Sequence, residues 1–128
     1  ELMVKRAGNR EAFGKTILKL GKNLEVISRA RIEIDAMRLM VLQAAKAMDV
    51  MGNKEARVYV SAIKAMVPEK VCVIIDQAMQ MHGATGISHW SPLPDMYHHQ
   101  RHLRFADGPD EVHHMVVGRA EAQKHGAW

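Results

Sequence analysis

The sequence predicts an all-α chain of the up-down four-helix-bundle type, and three observations predict it. Two long segments carry apolar residues at alternating spacings of three and four. A Gly52-Asn53 stop separates them. No stretch alternates apolar and polar residues persuasively enough to be read as a strand.

The opening Glu1-Leu2-Met3-Val4 is apolar and helix-competent, so the chain is expected to start inside an element, as a piece of a longer protein. The first clear helix follows Asn23, read as its N-cap. Ile27, Ala30, Ile34, Met37, Val41, Ala44, Met48 and Met51 form its seam, with Arg29, Glu33, Arg38 and Lys46 placed elsewhere around it. The second long helix is expected from Lys54 to about His82. Its seam is Ala56, Val60, Ile63, Val67, Val71, Ile74, Ala78 and Met81, with a kink or local fraying at Pro68. The short connector makes the two helices antiparallel neighbours.

Gly83-Ala84-Thr85-Gly86 and Ser91-Pro92-Leu93-Pro94 are too rich in breakers for a helix. A shorter helix is expected from Asp95 to about Arg104. A last one starts at Gly108-Pro109-Asp110-Glu111, with the proline at the first helical position and the acids in the first turn. Val112, Met115, Val116 and Arg119 continue it.

The chain has 128 residues, 25% charged and 48% hydrophobic, which suits one domain over 1–128 with a modest core. No run reaches the roughly 18 apolar residues that cross a membrane, so no membrane span is expected. The formal charge of +4 is scattered among acids rather than blocked, and the aromatic residues are few. Nucleic acid is therefore not an expected partner. Cys72 is the only cysteine, which excludes an intrachain disulfide, and its apolar setting reads as core. The ten methionines lie mostly on helical stripes and read as flexible core filling before a partner groove. His98 and His102 have the spacing of a zinc pair, but no cysteine or carboxylate completes a ligand set. No metal is expected.

Composition goes no further than a helical bundle, but three local segments do. They are Arg10-Glu11-Ala12-Phe13-Gly14-Lys15, then Gln80-Met81-His82-Gly83-Ala84-Thr85-Gly86, then Leu103-Arg104-Phe105-Ala106-Asp107-Gly108-Pro109-Asp110-Glu111-Val112. In this order the chain resembles the C-terminal helical domain of acyl-CoA dehydrogenases, whose motifs are R-x-x-F-G-K, a Q-x-x-G-G-x-G loop and a catalytic E-G-T segment. The A-D-G-P-D-E-V-H wording is similar to the branch that includes the kinase-fused members, where aspartate also stands in place of glutamate.

The resemblance implies a part of an FAD enzyme that oxidises an acyl-CoA to the trans-2-enoyl-CoA, a step of fatty acid β-oxidation. Asp107 would take the Cα proton while hydride passes to FAD N5. Substrate would lie near Gly108, and an electron-accepting flavoprotein or other acceptor would follow. Arg10 maps to the FAD pyrophosphate, where a planar guanidinium binds phosphate bidentately. Phe13 maps near the adenosine end. Gln80, Met81, His82, Gly83 and Ala84 map to the cofactor of a neighbouring subunit, so a homodimer or homotetramer is implied. Pro109, Asp110 and Glu111 map to the cofactor's vicinity. The implied compartment is cytoplasmic in a bacterium, mitochondrial or peroxisomal in a eukaryote.

Each residue has a plainer alternative. Arg10 alone is a solvated charge near a helix end, and Phe13 a core side chain. Gly83 is a helix C-cap, and Asp107 a carboxylate at a helix entrance. A non-catalytic helical module for oligomerisation or partner binding is the alternative for the whole chain. Ala84 replaces a family glycine, tolerable if φ there is negative. Pro109 replaces a threonine and offers neither a hydroxyl nor an N–H. Leu20 and Gly21 depart from a polar pair, so that contact is not carried over.

Overall fold

The computed structural model describes residues 1–128. Five α-helices dominate: α1 (Leu2–Asn9), α2 (Asn23–Met51), α3 (Asn53–His82), α4 (Leu93–His102) and α5 (Asp110–Lys124). The chain is all-α, with one exception that the sequence pattern did not suggest. β1 (Glu11–Ala12) and β2 (Lys15–Thr16) form a minimal antiparallel hairpin, Glu11 opposite Thr16 and Ala12 opposite Lys15. Its turn is Phe13-Gly14, both at positive φ (53° and 75°). That is the arrangement whose twist matches the flanking strands, although phenylalanine lacks the usual freedom for it.

The long helices carry the architecture. Gly52 alone joins α2 to α3; at φ 80° and ψ 168° it reverses the chain at once. Lys70 of α3 consequently reaches back to Glu33 of α2, at 3.2 Å. Helix α3 is continuous through the buried Pro68, without the expected fraying.

The seams agree with the sequence reading at Ala30, Met37, Ala44, Ala56 and Ala78 and depart from it elsewhere. On α2 the buried residues are Ala30, Met37, Ala44 and Ala47, while Val41, Met48 and Met51 are exposed. On α3 the buried residues are Ala56, Ser61, Ala65, Pro68, Cys72, Ile75 and Ala78, whereas Val60, Ile63, Val67, Val71, Ile74 and Met81 are only half-buried. The reason is the central place of α3. It is packed by α2, α4, α5 and α1 at once, so no single two-helix seam describes its burial. Small residues dominate both lines and let the helices approach closely. The main apolar cluster joins Met3, Ala30, Ile75, Ala78 and Leu93. Ile32, Leu39 and Leu42 remain exposed on the outer side of α2. Cys72 is buried, and burial pushes its thiol pKa up.

Three helix starts also shift. Asn23 is the first helical residue rather than the cap, and its side chain donates to the Ile17 carbonyl at 2.6 Å. Helix α4 begins at Leu93 instead of Asp95 and ends at His102. Pro94 lies in its first turn, where a missing N–H costs nothing, and the Ser91 hydroxyl accepts from the Leu93 N–H at 3.1 Å. Pro109 precedes α5 as its cap residue, at φ −68° and ψ 159°, rather than occupying the first helical position. No helix is long and apolar enough to cross a membrane.

Gly86, in the short 3-10 turn after α3, shows how tightly this corner is closed. A Cβ there would lie 2.4 Å from the Met79 carbonyl oxygen and 2.8 Å from its Cα. Backbone cannot yield as a side-chain tip can, so Gly86→Ala is expected to destabilise the fold by about 2 kcal/mol. Urea unfolding checks this; an unchanged midpoint would contradict it.

Candidate functional site

The first and second motifs meet. The hairpin tip holds Phe13 outward, 94% exposed, which removes the core reading of that side chain. Phe13, Ala12 and Leu20 line an open cleft of about 330 Å³, whose other wall is Gln77, Gln80 and Met81 of α3. Arg10 is the residue that ends α1, in an extended conformation (φ −86°, ψ 122°), and its carbonyl accepts from the Ile17 N–H at 2.8 Å. Its side chain is exposed and takes no part in the chain's salt bridges.

The end of α3 is fixed from two directions. Arg6 of α1 donates to the His82 carbonyl at 3.2 Å. The His82 ring contacts the Ala78 carbonyl at 2.7 Å; a carbonyl only accepts, so Nδ1 carries the proton and Nε2 is the free nitrogen. Gly83 ends the helix at φ 64° and gives its N–H to Gln80. The C-cap reading of Gly83 is thus correct in itself. Ala84 is not among the residues at positive φ, so its extra methyl imposes no backbone strain.

The third motif sits elsewhere. Residues Leu103 to Pro109 form the turn between α4 and α5, and this turn packs on the middle of α3 through Lys64. From Lys64 to Gln80 is roughly 24 Å along a helix at about 1.5 Å per residue. One chain therefore does not bring Asp107 and the Phe13–Gln80 cleft onto the same small group.

Asp107 is exposed, at φ 55°, followed by Gly108 at φ 103°. Among non-glycine residues only Phe13 and Asp107 adopt positive φ, and each belongs to a motif singled out in the sequence. Such conformations persist where the surroundings over-determine them. The Asp107 N–H donates to no backbone carbonyl, and its carboxylate enters no salt bridge.

Three flanking residues fare differently. Pro109 and Glu111 are exposed. Asp110 is 6% exposed and bound by Arg104, Nε to Oδ2 at 2.6 Å, while its other oxygen is buried without a partner. The hydrogen bond to Asp110 raises the Arg104 pKa above its ordinary value. The carboxylate of Asp110 thus closes a turn, a role the sequence reading did not assign.

Sequence reasoning also missed Lys64, Ser61 and His113. The Lys64 ammonium donates to the Gly108 carbonyl at 3.0 Å. His113 contacts the Asp107 carbonyl through Nε2 and the Ser61 hydroxyl through Nδ1, both at 3.3 Å. His113 closes the A-D-G-P-D-E-V-H wording, but nothing in that wording assigned it a role. On α4, His98 and His99 meet edge to face at 6.3 Å. No three metal-binding side chains converge anywhere in the chain.

Comparison with known proteins places these features in one context. A family model described as "Acyl-CoA dehydrogenase, C-terminal domain" matches residues 1–122. The protein assigned as acyl-CoA dehydrogenase FadE2 of Mycobacterium tuberculosis is 46% identical over 123 residues, covering 96% of this chain and 30% of that one. Acyl-CoA dehydrogenase family member 10 of Mus musculus is 47% identical over 120 residues, covering 94% and 11%. The solved structure of a protein assigned as an acyl-CoA dehydrogenase, from Mycobacterium abscessus, superposes with a TM-score of 0.94 at 44% identity, over 97% of this chain and 30% of that one. The butyryl-CoA dehydrogenase of Megasphaera elsdenii shares the fold, at a TM-score of 0.84 and 24% identity. The chain thus spans less than a third of the length of the curated relatives it matches.

Proposed function

The chain belongs to the acyl-CoA dehydrogenase family, as its C-terminal domain, and from that premise we propose that it is one part of an FAD-dependent enzyme converting an acyl-CoA to the trans-2-enoyl-CoA. The observation that carries the reading is the Asp107 turn: an exposed, unpaired carboxylate held at positive φ beside an amide N–H without a backbone acceptor. Together these are the two groups that α-proton removal from a thioester requires. The carboxylate takes the Cα proton. The N–H is suited to donate to the thioester oxygen as enolate-like charge develops there. Gly108, without a side chain, leaves room for substrate at the turn.

The other two motifs suit FAD. An unpaired guanidinium at Arg10 fits a pyrophosphate, and the outward phenyl ring of Phe13 fits the flat adenine. Gln80, Met81 and His82 present the adjoining end of α3, and Gly83 and Ala84 the 3-10 turn that follows it. FAD, when bound, supplies the acceptor for the Cβ hydride at N5. The distance between cleft and Asp107 supports a division of labour, in which each chain gives its cleft to a neighbour's cofactor in a homodimer or homotetramer. The apolar outer side of α2 is available for such contacts. Glu111 and Pro109 lie beside the base turn, whereas Asp110 serves the turn itself. Electrons then pass to an electron-accepting flavoprotein or another acceptor.

The test uses the full-length flavoenzyme. Acyl-CoAs of graded chain length are mixed with it anaerobically and the visible flavin band is followed. Bleaching is expected; no bleaching by any acyl-CoA would overturn the reading. These 128 residues alone are expected to purify colourless, because neither cleft nor turn encloses a cofactor by itself. Flavin retained through gel filtration would contradict that.

A further inference from the structure

Both carbonyls of the Asp107-Gly108 turn are gripped by side chains from neighbouring helices. Lys64 of α3 donates to the Gly108 oxygen at 3.0 Å. His113 of α5 holds the Asp107 oxygen at 3.3 Å. Because a carbonyl only accepts, Nε2 of His113 must be the protonated nitrogen. Nδ1 is then the acceptor in the neutral ring, and the Ser61 hydroxyl, 3.3 Å away, is placed to donate to it. The Asp107 carbonyl thus selects the tautomer, and the Ser61 hydroxyl, able to donate, is compatible with it and helps orient the ring.

The ring also fills the space a side chain at residue 108 would need. A Cβ there would lie 3.1 Å from Nε2, on a backbone at φ 103° that favours glycine in any case. The Arg104–Asp110 pair closes the ends of the turn, but at its two residues of positive φ the unpaired Asp107 carboxylate adds no hold of its own.

We infer that Ser61, Lys64 and His113 form a strap that positions Asp107 for proton abstraction, with His113 its central positioning residue. The inference rests on the proposed role of Asp107 as base. It adds that the base is aimed through its backbone, by groups that touch neither substrate nor cofactor. An aspartate reaches roughly 1.5 Å less far than a glutamate, so its placement depends closely on where the turn lies. A misplacement of about 1 Å costs on the order of a hundredfold in rate.

Three variants of the full-length flavoenzyme test the strap: His113→Leu, His113→Gln and Lys64→Met. Each is mixed with saturating acyl-CoA, plain or deuterated at Cα, and flavin bleaching is timed. His113→Leu is expected to slow bleaching by about 10- to 100-fold at an unchanged half-saturating acyl-CoA concentration, with a larger isotope effect. His113→Gln, whose amide N–H can replace Nε2–H, is expected to recover most of the rate. Lys64→Met is expected to show the same signature more weakly and guards against a misfolded histidine variant. Parent rates in both His113→Leu and Lys64→Met would overturn the strap. A slowed rate with an unmoved isotope effect and no recovery in His113→Gln would also overturn it, by showing a merely structural role. Asp107→Asn is run alongside. If it still bleaches at the parent rate, the base assignment fails and the strap with it; if it is silent while the strap variants are unaffected, only the strap fails.

Discussion

Asp107→Asn in the full-length flavoenzyme is expected to slow flavin bleaching by acyl-CoA by about 10²–10⁴-fold, the usual contribution of a positioned general base. The substitution is chosen because it changes one property. Asparagine matches aspartate in shape and is, like it, among the few non-glycine residues at ease in the left-handed region. The backbone at φ 55° should therefore survive, along with the amide N–H beside it. Alanine would confound the result, since it brings strain to the turn as well as removing the carboxylate. Acyl-CoA should still bind and perturb the flavin spectrum, because the loss falls on the chemical step. Asp107→Glu extends the reach by one C–C bond, roughly 1.5 Å, and should retain more activity than Asp107→Asn. Undiminished bleaching in the asparagine variant would exclude Asp107 as the base.

How much of this was legible in the sequence depends on the range of the interaction involved. The two long helices and their antiparallel reversal at Gly52 follow from local periodicity and one stop signal, and both stand. The register of burial follows only in part: Ala30, Met37, Ala44, Ala56 and Ala78 are buried as the seams predict, but most of the larger seam residues are not. Val60 and Ile63 fit a two-helix seam, but α3 is packed from several sides and buries Ser61 and Ala65 instead. The hairpin at Glu11–Thr16 escaped because Phe13-Gly14 is not an Asn-Gly-type turn, and its positive φ at a phenylalanine comes from the fold around it.

The same division holds at the site. Asp107, Arg10 and Phe13 are proposed as site residues through motifs, which record local wording. The hold of Lys64 on Gly108 spans 44 residues and leaves no local trace. The pairing of Arg104 with Asp110 lies within six residues, yet both acids of Asp110-Glu111 suit a helix start equally well. Only the path of the turn decides that Asp110 faces inward and Glu111 outward.

That pairing leads to the largest stability effect expected in the chain. Arg104→Met removes the partner of a carboxylate that is 6% exposed and already has one oxygen unpartnered. Leaving a buried charge uncompensated costs about 3–5 kcal/mol; the Arg104 side chain keeps 32% exposure, which puts the expectation near the lower figure. The helix N-terminus at Asp110 offsets some of the charge but does not replace a 2.6 Å hydrogen bond. Combining Arg104→Met with Asp110→Asn removes the stranded charge and should restore part of the loss. The double variant is then expected to be more stable than Arg104→Met alone, a non-additivity that distant, independent substitutions do not show. Urea unfolding of the single and double variants measures it, and additive losses would mean that the two groups are not coupled. The Asp110 N–H also donates to the Arg104 carbonyl at 3.0 Å, so backbone and side chains close the same loop. Asp107 lies between these two residues. Arg104→Met should therefore slow flavin bleaching as well as lower stability, and the rate should recover in parallel with stability in the double variant if the pair acts by holding the turn.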